Sequence, residues 1–207
     1  MIISKTPLRI SFSGGGTDNL LNQDFDGNVI SCTIDKFVYV GLNKKFDNLL
    51  RFSYSKTENV KNVNLIQHEM LKETFKFFKI SKGLEIVSVA DIPSSGSGLG
   101  SSSSFLVGLI NLINYFKNLK LKKEEIAKIA CKIEIENLKK PIGMQDQYNA
   151  VYGGLKWYKF YDKNKVKVIK LNIDKKRLKN FNQKLFLVYT GQVRKSEKIL
   201  SKVKKTP

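Results

Sequence analysis

The stretch IPSSGSGLGSSSSF, residues Ile92 to Phe105, decides how this chain reads. Seven of its residues are serine and three are glycine, a composition shared by flexible tethers. Its flanks argue against a tether. GLEIVSVADIP before it alternates like a strand that stops at Pro93, and SFLVGLINLINYFKNL after it is an almost wholly apolar helical run that must be buried. Strand, glycine-rich turn and long helix is a layout for anion binding. Glycine lets backbone N–H groups close on an anion, and the helix start adds unpaired donors and the positive end of its dipole. The reading is a phosphate-holding loop. It is not a Walker A loop, because no Gly-Lys-Ser/Thr occurs. Nor is it the dinucleotide pattern G-x-G-x-x-G, because its glycines are Gly96, Gly98 and Gly100.

Working outward, MIISKTPLRISFS reads as a strand with an irregularity at Pro7, broken by GGGTD. NVISCTIDKFVYVGLN reads as a hairpin of two strands around Asp35-Lys36. LLRFSYS is a further strand. NLIQHEMLKETFKFF has helical spacing, with Leu65, Leu71, Phe75 and Phe78 on one face. KKEEIAKIACKIEIENL is a helix with acids in its first turn, ended by Pro141. GMQDQYNAVYGG is a short segment with a glycine stop. LKWYKFY, VKVIKL and LFLVYT are strands, and KSEKILSKVKK opens one more helix. This order predicts an α+β fold, an antiparallel-rich sheet with packed helices. The apolar strand so late in the chain predicts a first domain over residues 1–180 and the beginning of a second α+β domain over 181–207.

The 207 residues suffice for one domain with a real core, and 42% hydrophobic residues is the composition of a globular chain. No apolar run reaches the roughly 18 residues of a membrane helix, and the N-terminus lacks a signal-peptide layout. Cys32 and Cys131 match no metal or redox spacing, so reduced thiols in a cytoplasmic protein are expected. The formal charge of +19 comes almost wholly from scattered lysines, with arginine only at positions 9, 51, 177 and 194. Nucleic-acid surfaces favour arginine for phosphate forks and base edges. The charge therefore reads as a solvated basic face and argues against a nucleic-acid partner. It fixes no oligomeric state.

Three acids stand out. In the helix before Pro141, Ile126, Ile129, Ala130 and Ile133 define an apolar face that Ala127, Cys131 and Leu138 widen. Glu134 projects inside that arc, and Glu136 lands at its edge. An inward carboxylate must be paired or bind a metal, because an unpaired buried charge is very costly. The alternatives are a salt bridge to a lysine or metal and active-site duty. Asp146 lies between two glutamines in the next segment, where it could accept a proton from a hydroxyl or cap a helix. Asp18, just after Gly14–Gly16, could bind sugar hydroxyls or serve as an N-cap. His68, the only histidine, takes no role.

Taken in order, TPLRISFSGGGTD, PSSGSGLGSSSS and ENLKKPIGMQDQYNAVYGG resemble motifs of the galactokinase, homoserine kinase, mevalonate kinase and phosphomevalonate kinase group (GHMP kinases), and the match runs from the start of this chain to about Gly154. Within that group the first and third look most like sugar 1-kinases acting on D-glycero-D-manno-heptose 7-phosphate, with bacterial fucokinases close. The Glu-His pair of galactokinases is replaced here by Gly15-Gly16. The resemblance implies the N-terminal fold of this group, which is similar to one found in ribosomal proteins (S5 domain 2-like). It implies ATP and Mg²⁺ as cofactors and a small sugar or sugar phosphate as partner. Pro93, Gly96, Ser97, Gly98, Leu99, Gly100, Ser101 and Ser102 would wrap the ATP phosphates. Ser102 and Glu134 would reach Mg²⁺. Asp146 would take the proton of the sugar's anomeric hydroxyl, with Arg9 beside it, and Gly15, Gly16, Thr17 and Asp18 would bind the sugar. The group also has a second domain with a third glycine-rich motif, and VYTGQVRKSEKIL resembles its opening. Two other readings are a basic RNA-binding module and an inactive kinase fragment.

Overall fold

The computed structural model describes residues 1–19, 26–93, 96–161, 165–188 and 190–191. Seven strands form one sheet: β1 (Ile2–Ser13), β2 (Gly27–Lys44), β3 (Leu50–Ser53), β4 (Thr57–Val60), β5 (Leu84–Ala90), β6 (Leu155–Tyr161) and β7 (Lys165–Lys170). Among the described residues five α-helices accompany them: α1 (Glu69–Phe77), α2 (Ser101–Phe116), α3 (Lys123–Cys131), α4 (Gln145–Tyr152) and α5 (Lys175–Gln183). The sheet order is β4-β3-β5-β2-β6-β7, with β1 also paired to β2. Only β3 and β5 run parallel. The expected α+β, antiparallel-rich architecture is the one observed.

The expected hairpin at Asp35-Lys36 does not form. β2 is one strand of 18 residues, and β1 pairs with it from Leu42 to Ile30. Opposite Pro7 the register slips: Pro7 faces Phe37, whereas Arg9 faces Thr33. Proline has no N–H to give the ladder, so the residues between Thr33 and Phe37 bulge and the strand bends instead of turning back. The bend gives β2 two partners in succession, β6 on its first half and β5 on its second. It also brings Arg9, just past the slip, to the loop before α2, where its N–H donates to the Leu99 carbonyl at 3.0 Å.

α2 is the central helix. Its side chains from Ser103 to Ile110 are all buried, and it packs on β1 and β2 as its apolar sequence requires. The main core joins α2 to Val38, Val40, Leu42, Phe52, Leu71, Phe75 and Ile86. A second cluster, with Val29, Ala127, Cys131, Met144, Tyr148, Tyr158 and Phe160, packs β6 against α3 and α4. Burial pushes the Cys131 thiol well up, which keeps it protonated and unreactive.

Other elements differ from the sequence reading. β4 and α5 are additions, and α5 is capped by Asp174, whose carboxylate accepts the Arg177 N–H. The first helix begins at Glu69, so Leu65 lies in a separate 3-10 turn and is 56% exposed, not on the apolar face. The strand expected over LFLVYT is not formed in residues 185–188. Phe186 and Val188 are 86% and 76% exposed, and a strand has no stability without a neighbour to share its ladder. α5 also spans position 180, the expected domain boundary. The helix expected over 195–205 lies outside the described residues.

His68 is the N-cap of α1, its Nδ1 accepting the Leu71 N–H at 3.4 Å, and its ring packs on Tyr54 and on Phe105 of α2. Burial pushes the imidazole below its usual 6.5, against the opposing pull of Glu58. The unfolded chain therefore takes up this proton before the folded one does. The stability is full above pH 6.5 and is lost as pH falls below that value toward the folded one, at no more than about 1.4 kcal/mol per pH unit. Thermal melts between pH 7.5 and 5.5 check this. His68→Asn, which keeps a capping oxygen, should flatten the slope. An unchanged slope would exclude His68 as its source.

Candidate active site

Between β5 and α2 the chain turns on Gly96, Gly98 and Gly100, with φ of 75°, 69° and 76°. Alternating left-handed glycines point successive N–H groups into one concavity, the geometry that cradles anions. Gly100 is the N-cap of α2 and, being glycine, offers that end no capping side chain. The first-turn donors of a 16-residue helix thus open on the loop, as its flanks predict. Gly100 is also a point of close approach. A Cβ there would stand 3.4 Å from Arg9 Cγ and from the Asp146 carboxylate.

Asp146 is the second residue of α4. Its Oδ1 accepts from Arg9 Nε at 2.7 Å and lies 2.6 Å from Arg9 Nη2, and the pair is largely but not wholly buried, at 15% and 22% exposure. Arg9 Nη1 donates to the Gly98 carbonyl at 2.6 Å. One guanidinium thus ties the carboxylate to the glycine loop, a fork geometry that lysine could not supply.

Glu134 sits deeper, at 0% exposure, whereas Glu136 is exposed. The helix expected up to Leu138 continues past α3 as a π-turn, Lys132–Asn137. This wider turn carries both Ile133 and Glu134 inward, and such π-turns recur at functional positions. Glu134 Oε1 accepts from Ser102 Oγ at 3.0 Å and from Lys140 Nζ at 3.1 Å. Its Oε2 accepts from Ser103 Oγ and from Gln147 Nε2, each at 2.6 Å. Four donors offset the cost of burying this charge. The lysine salt bridge expected for an inward acid is present, and the same carboxylate meets the α2 hydroxyls. Ser102 and Glu134 offer the hard oxygen donors that Mg²⁺ takes, a set that fits an ion drawing its remaining ligands from phosphate and water. Among the described residues no group of three or more His, Cys, Asp or Glu could hold a metal.

The first glycine cluster folds as a turn, closed by Thr17 N–H to Gly14 O at 3.0 Å. Gly15 is exposed, and the Thr17 hydroxyl is engaged by Gly14 and Asn28. Asp18 is 1% exposed. Its Oδ2 accepts the Gln145 N–H at 2.8 Å and its Oδ1 accepts Gln145 Nε2 at 3.1 Å. It therefore caps α4 from a distant part of the chain rather than facing open solvent. Burial first, and then the neighbouring Asp146 charge, push the Asp18 carboxyl up, while the Gln145 N–H pulls it back. Pro93 is exposed beyond the end of β5, and Ser97 Oγ accepts the Leu99 N–H at 3.4 Å. The fold thus brings Arg9, Asp18, Gly98, Gly100, Ser102, Glu134 and Asp146 into one connected site.

Sequence reasoning missed Gln145, Gln147, Ser103 and Lys140. The two glutamines flank Asp146 in the sequence, and one turns to Asp18 while the other turns to Glu134. That alternation was the available signal. Lys140 had none among so many lysines.

Residues 63–154 match the GHMP kinases N terminal domain. A D-glycero-alpha-D-manno-heptose 7-phosphate kinase of Campylobacter jejuni is 32% identical over 211 residues, which is 96% of this chain and 62% of that protein. A homoserine kinase of Staphylococcus aureus is 31% identical over 140 residues, 65% of this chain and 42% of that one. The crystal structure of a D-glycero-D-manno-heptose 1-phosphate kinase from Bacteroides thetaiotaomicron superposes with a TM-score of 0.76 at 24% identity, covering 84% of this chain and 61% of that one. The last is a likeness of fold. Among the described residues no helix is long and apolar enough to cross a membrane. Over residues 63–154 the chain carries the N-terminal domain of the GHMP kinases.

Proposed function

We propose that this chain supplies the nucleotide-binding half and the catalytic acid of an ATP-dependent sugar kinase. The acceptor is the anomeric hydroxyl of a heptose phosphate, D-glycero-α-D-manno-heptose 7-phosphate first among candidates. The product would be the 1,7-bisphosphate, which feeds nucleotide-activated heptose for cell-surface polysaccharide. The observation that carries the reading is Asp146, fixed by Arg9 against the mouth of a glycine loop that caps a buried helix.

In phosphoryl transfer a protein mainly positions the reactants and neutralises developing charge. The loop N–H groups and the α2 start would hold the ATP phosphates. Arg9 would hold Asp146 in place and face the transferring group. Asp146 would accept the proton of the attacking hydroxyl. Ser102 and Glu134 would hold Mg²⁺, which when bound neutralises the phosphate charge. Asp18 and Gln145 would set the start of α4, and with it the position of Asp146, relative to the sugar. The turn at Gly15, Gly16 and Thr17 would border the sugar. A second domain beginning near residue 181 would complete the pocket. The relatives' printed activities support a sugar or other small-molecule alcohol as acceptor.

The test is transfer of labelled γ-phosphate from ATP to a panel of heptose 7-phosphate, fucose, mannose, homoserine and mevalonate, with Mg·ATP binding measured by calorimetry. Heptose phosphate should be the best acceptor. Turnover of homoserine or mevalonate with no sugar would overturn the sugar assignment. Salt-sensitive RNA binding without Mg·ATP binding would overturn the kinase reading itself.

A further inference from the structure

We infer that Lys140 is a built-in counter-cation that competes with the divalent ion for the Glu134–Ser102 notch, so that this ion binds well only together with nucleotide. The inference rests on the kinase reading above. Lys140 Nζ lies 3.1 Å from Glu134 Oε1, 3.1 Å from Ser102 Oγ and 3.4 Å from Met70 Sδ. The two oxygens that would receive Mg²⁺ are thus the ones that hold the ammonium. The side chain is only 17% exposed, and its partner carboxylate is fully buried.

The backbone aims it there. Lys139 adopts a left-handed conformation, with φ 54°, where the π-turn ends. The Lys140 N–H returns to the Glu134 carbonyl at 3.0 Å, and its own carbonyl accepts the Ile142 N–H at 2.9 Å. The residue bearing the ammonium is therefore pinned to the residue bearing the carboxylate. A left-handed lysine is unfavourable, so the turn accepts strain to place the next side chain. Gln147 adds an independent sign. It is fully buried, its Nε2 is spent on Glu134, and among the described residues its Oε1 has no hydrogen-bond partner. An acceptor left open beside a carboxylate fits a site built to take more positive charge than one ammonium supplies.

The chemistry follows from charge. A lone divalent ion must displace the ammonium from a buried carboxylate and leave it without a partner. When nucleotide brings phosphate into the loop, the displaced ammonium gains phosphate oxygens to pair with. The lysine thus suppresses binding of the free ion and leaves binding of the ion–nucleotide complex intact.

The experiment uses Mn²⁺ as probe, read by electron paramagnetic resonance on the full chain with and without ATP. Lys140→Met should bind Mn²⁺ alone about tenfold more tightly than native, and Lys140→Arg, which keeps the charge, should not. Added Mn²⁺ should also raise the melting temperature of Lys140→Met more than that of the native chain. Should the methionine variant not fold, Lys140→Gln gives the same reading. Equal or weaker Mn²⁺ binding in the neutral variant overturns the inference. Glu134→Gln separates this from failure of the underlying reading. If it leaves Mn²⁺ binding unchanged, the notch is not the cation site and the metal assignment falls. If it abolishes binding while Lys140→Met behaves as native, the counter-cation role alone falls.

Discussion

Asp146→Asn is expected to lower phosphoryl transfer by about 10²–10⁴-fold, the usual worth of a positioned base, with Mg·ATP binding close to native. The amide keeps the shape of the carboxylate and can still accept from Arg9, so the guanidinium retains its bond to the Gly98 carbonyl and the loop keeps its form. What is lost is the ability to take a proton. Because the amide still accepts from Arg9 and the pair keeps some exposure, at 15% and 22%, stability should fall only modestly, by about 1 kcal/mol. For a chain of this size that is roughly 2–4 °C in Tm. The measurement is label transfer to whichever acceptor the native chain uses best, beside a melt and an ATP titration of the same preparation. Native-like turnover in the variant would remove Asp146 from the chemistry. Lost ATP binding would instead mean that its role is to hold the loop.

The sequence disclosed most where one residue type has few physical alternatives. A glycine-rich turn feeding an apolar helix points to a shaped loop rather than a tether, and its three glycines do adopt the left-handed backbone that only glycine takes easily. Glu134 was legible for the same reason: helical spacing put an acid among Ile126, Ala130 and Ile133, and all four are buried. The failures lie where a tertiary partner decides. Asp35-Lys36 looks like a turn locally, yet the β1 register slip at Pro7 makes it a bulge in a continuous strand. LFLVYT looks like a strand, but strand character needs a ladder, and residues 185–188 have none. Asp18 was read beside its own glycines, whereas its partner is Gln145, 127 positions away. Such a pairing leaves no periodic trace.

On the proposed function, the salt-bridge and cation-site readings of the inward acid are not rivals. A buried carboxylate needs compensation at all times. A lysine salt bridge and a cation site can therefore be the same place, occupied in turn. The salt bridge that looks like a merely structural answer, Lys140 on Glu134, is carried by the oxygen that also meets Ser102. Structural and functional demands converge on one carboxylate because burial makes it both costly to leave alone and strong when paired.

Gly143→Ala is expected to destabilise the chain by about 3 kcal/mol, the sum of overpacking and a weakened charge-assisted cap, or roughly 6–12 °C in Tm. Gly143 is in direct van der Waals contact with Asp18. A methyl built there would overlap the Asp18 carboxyl group more closely than any real Cβ contact. Asp18 cannot retreat, because it is 1% exposed and both its oxygens hold Gln145. Either the carboxylate turns away and the start of α4 loses its cap, or α4 shifts and carries Asp146 from Arg9. The first outcome costs stability alone, and the second costs activity as well, because a shift near 1 Å disrupts reactive alignment. A double-mutant cycle tests the contact itself. Asp18→Ala removes the group that the new methyl strikes, so adding Gly143→Ala to it should cost little more than Asp18→Ala alone. Additive losses would mean that the alanine strains the chain somewhere other than against Asp18. A Gly143→Ala single variant melting like native would show that the α4 start has slack, and the tight coupling between the first glycine turn and Asp146 would have to be abandoned.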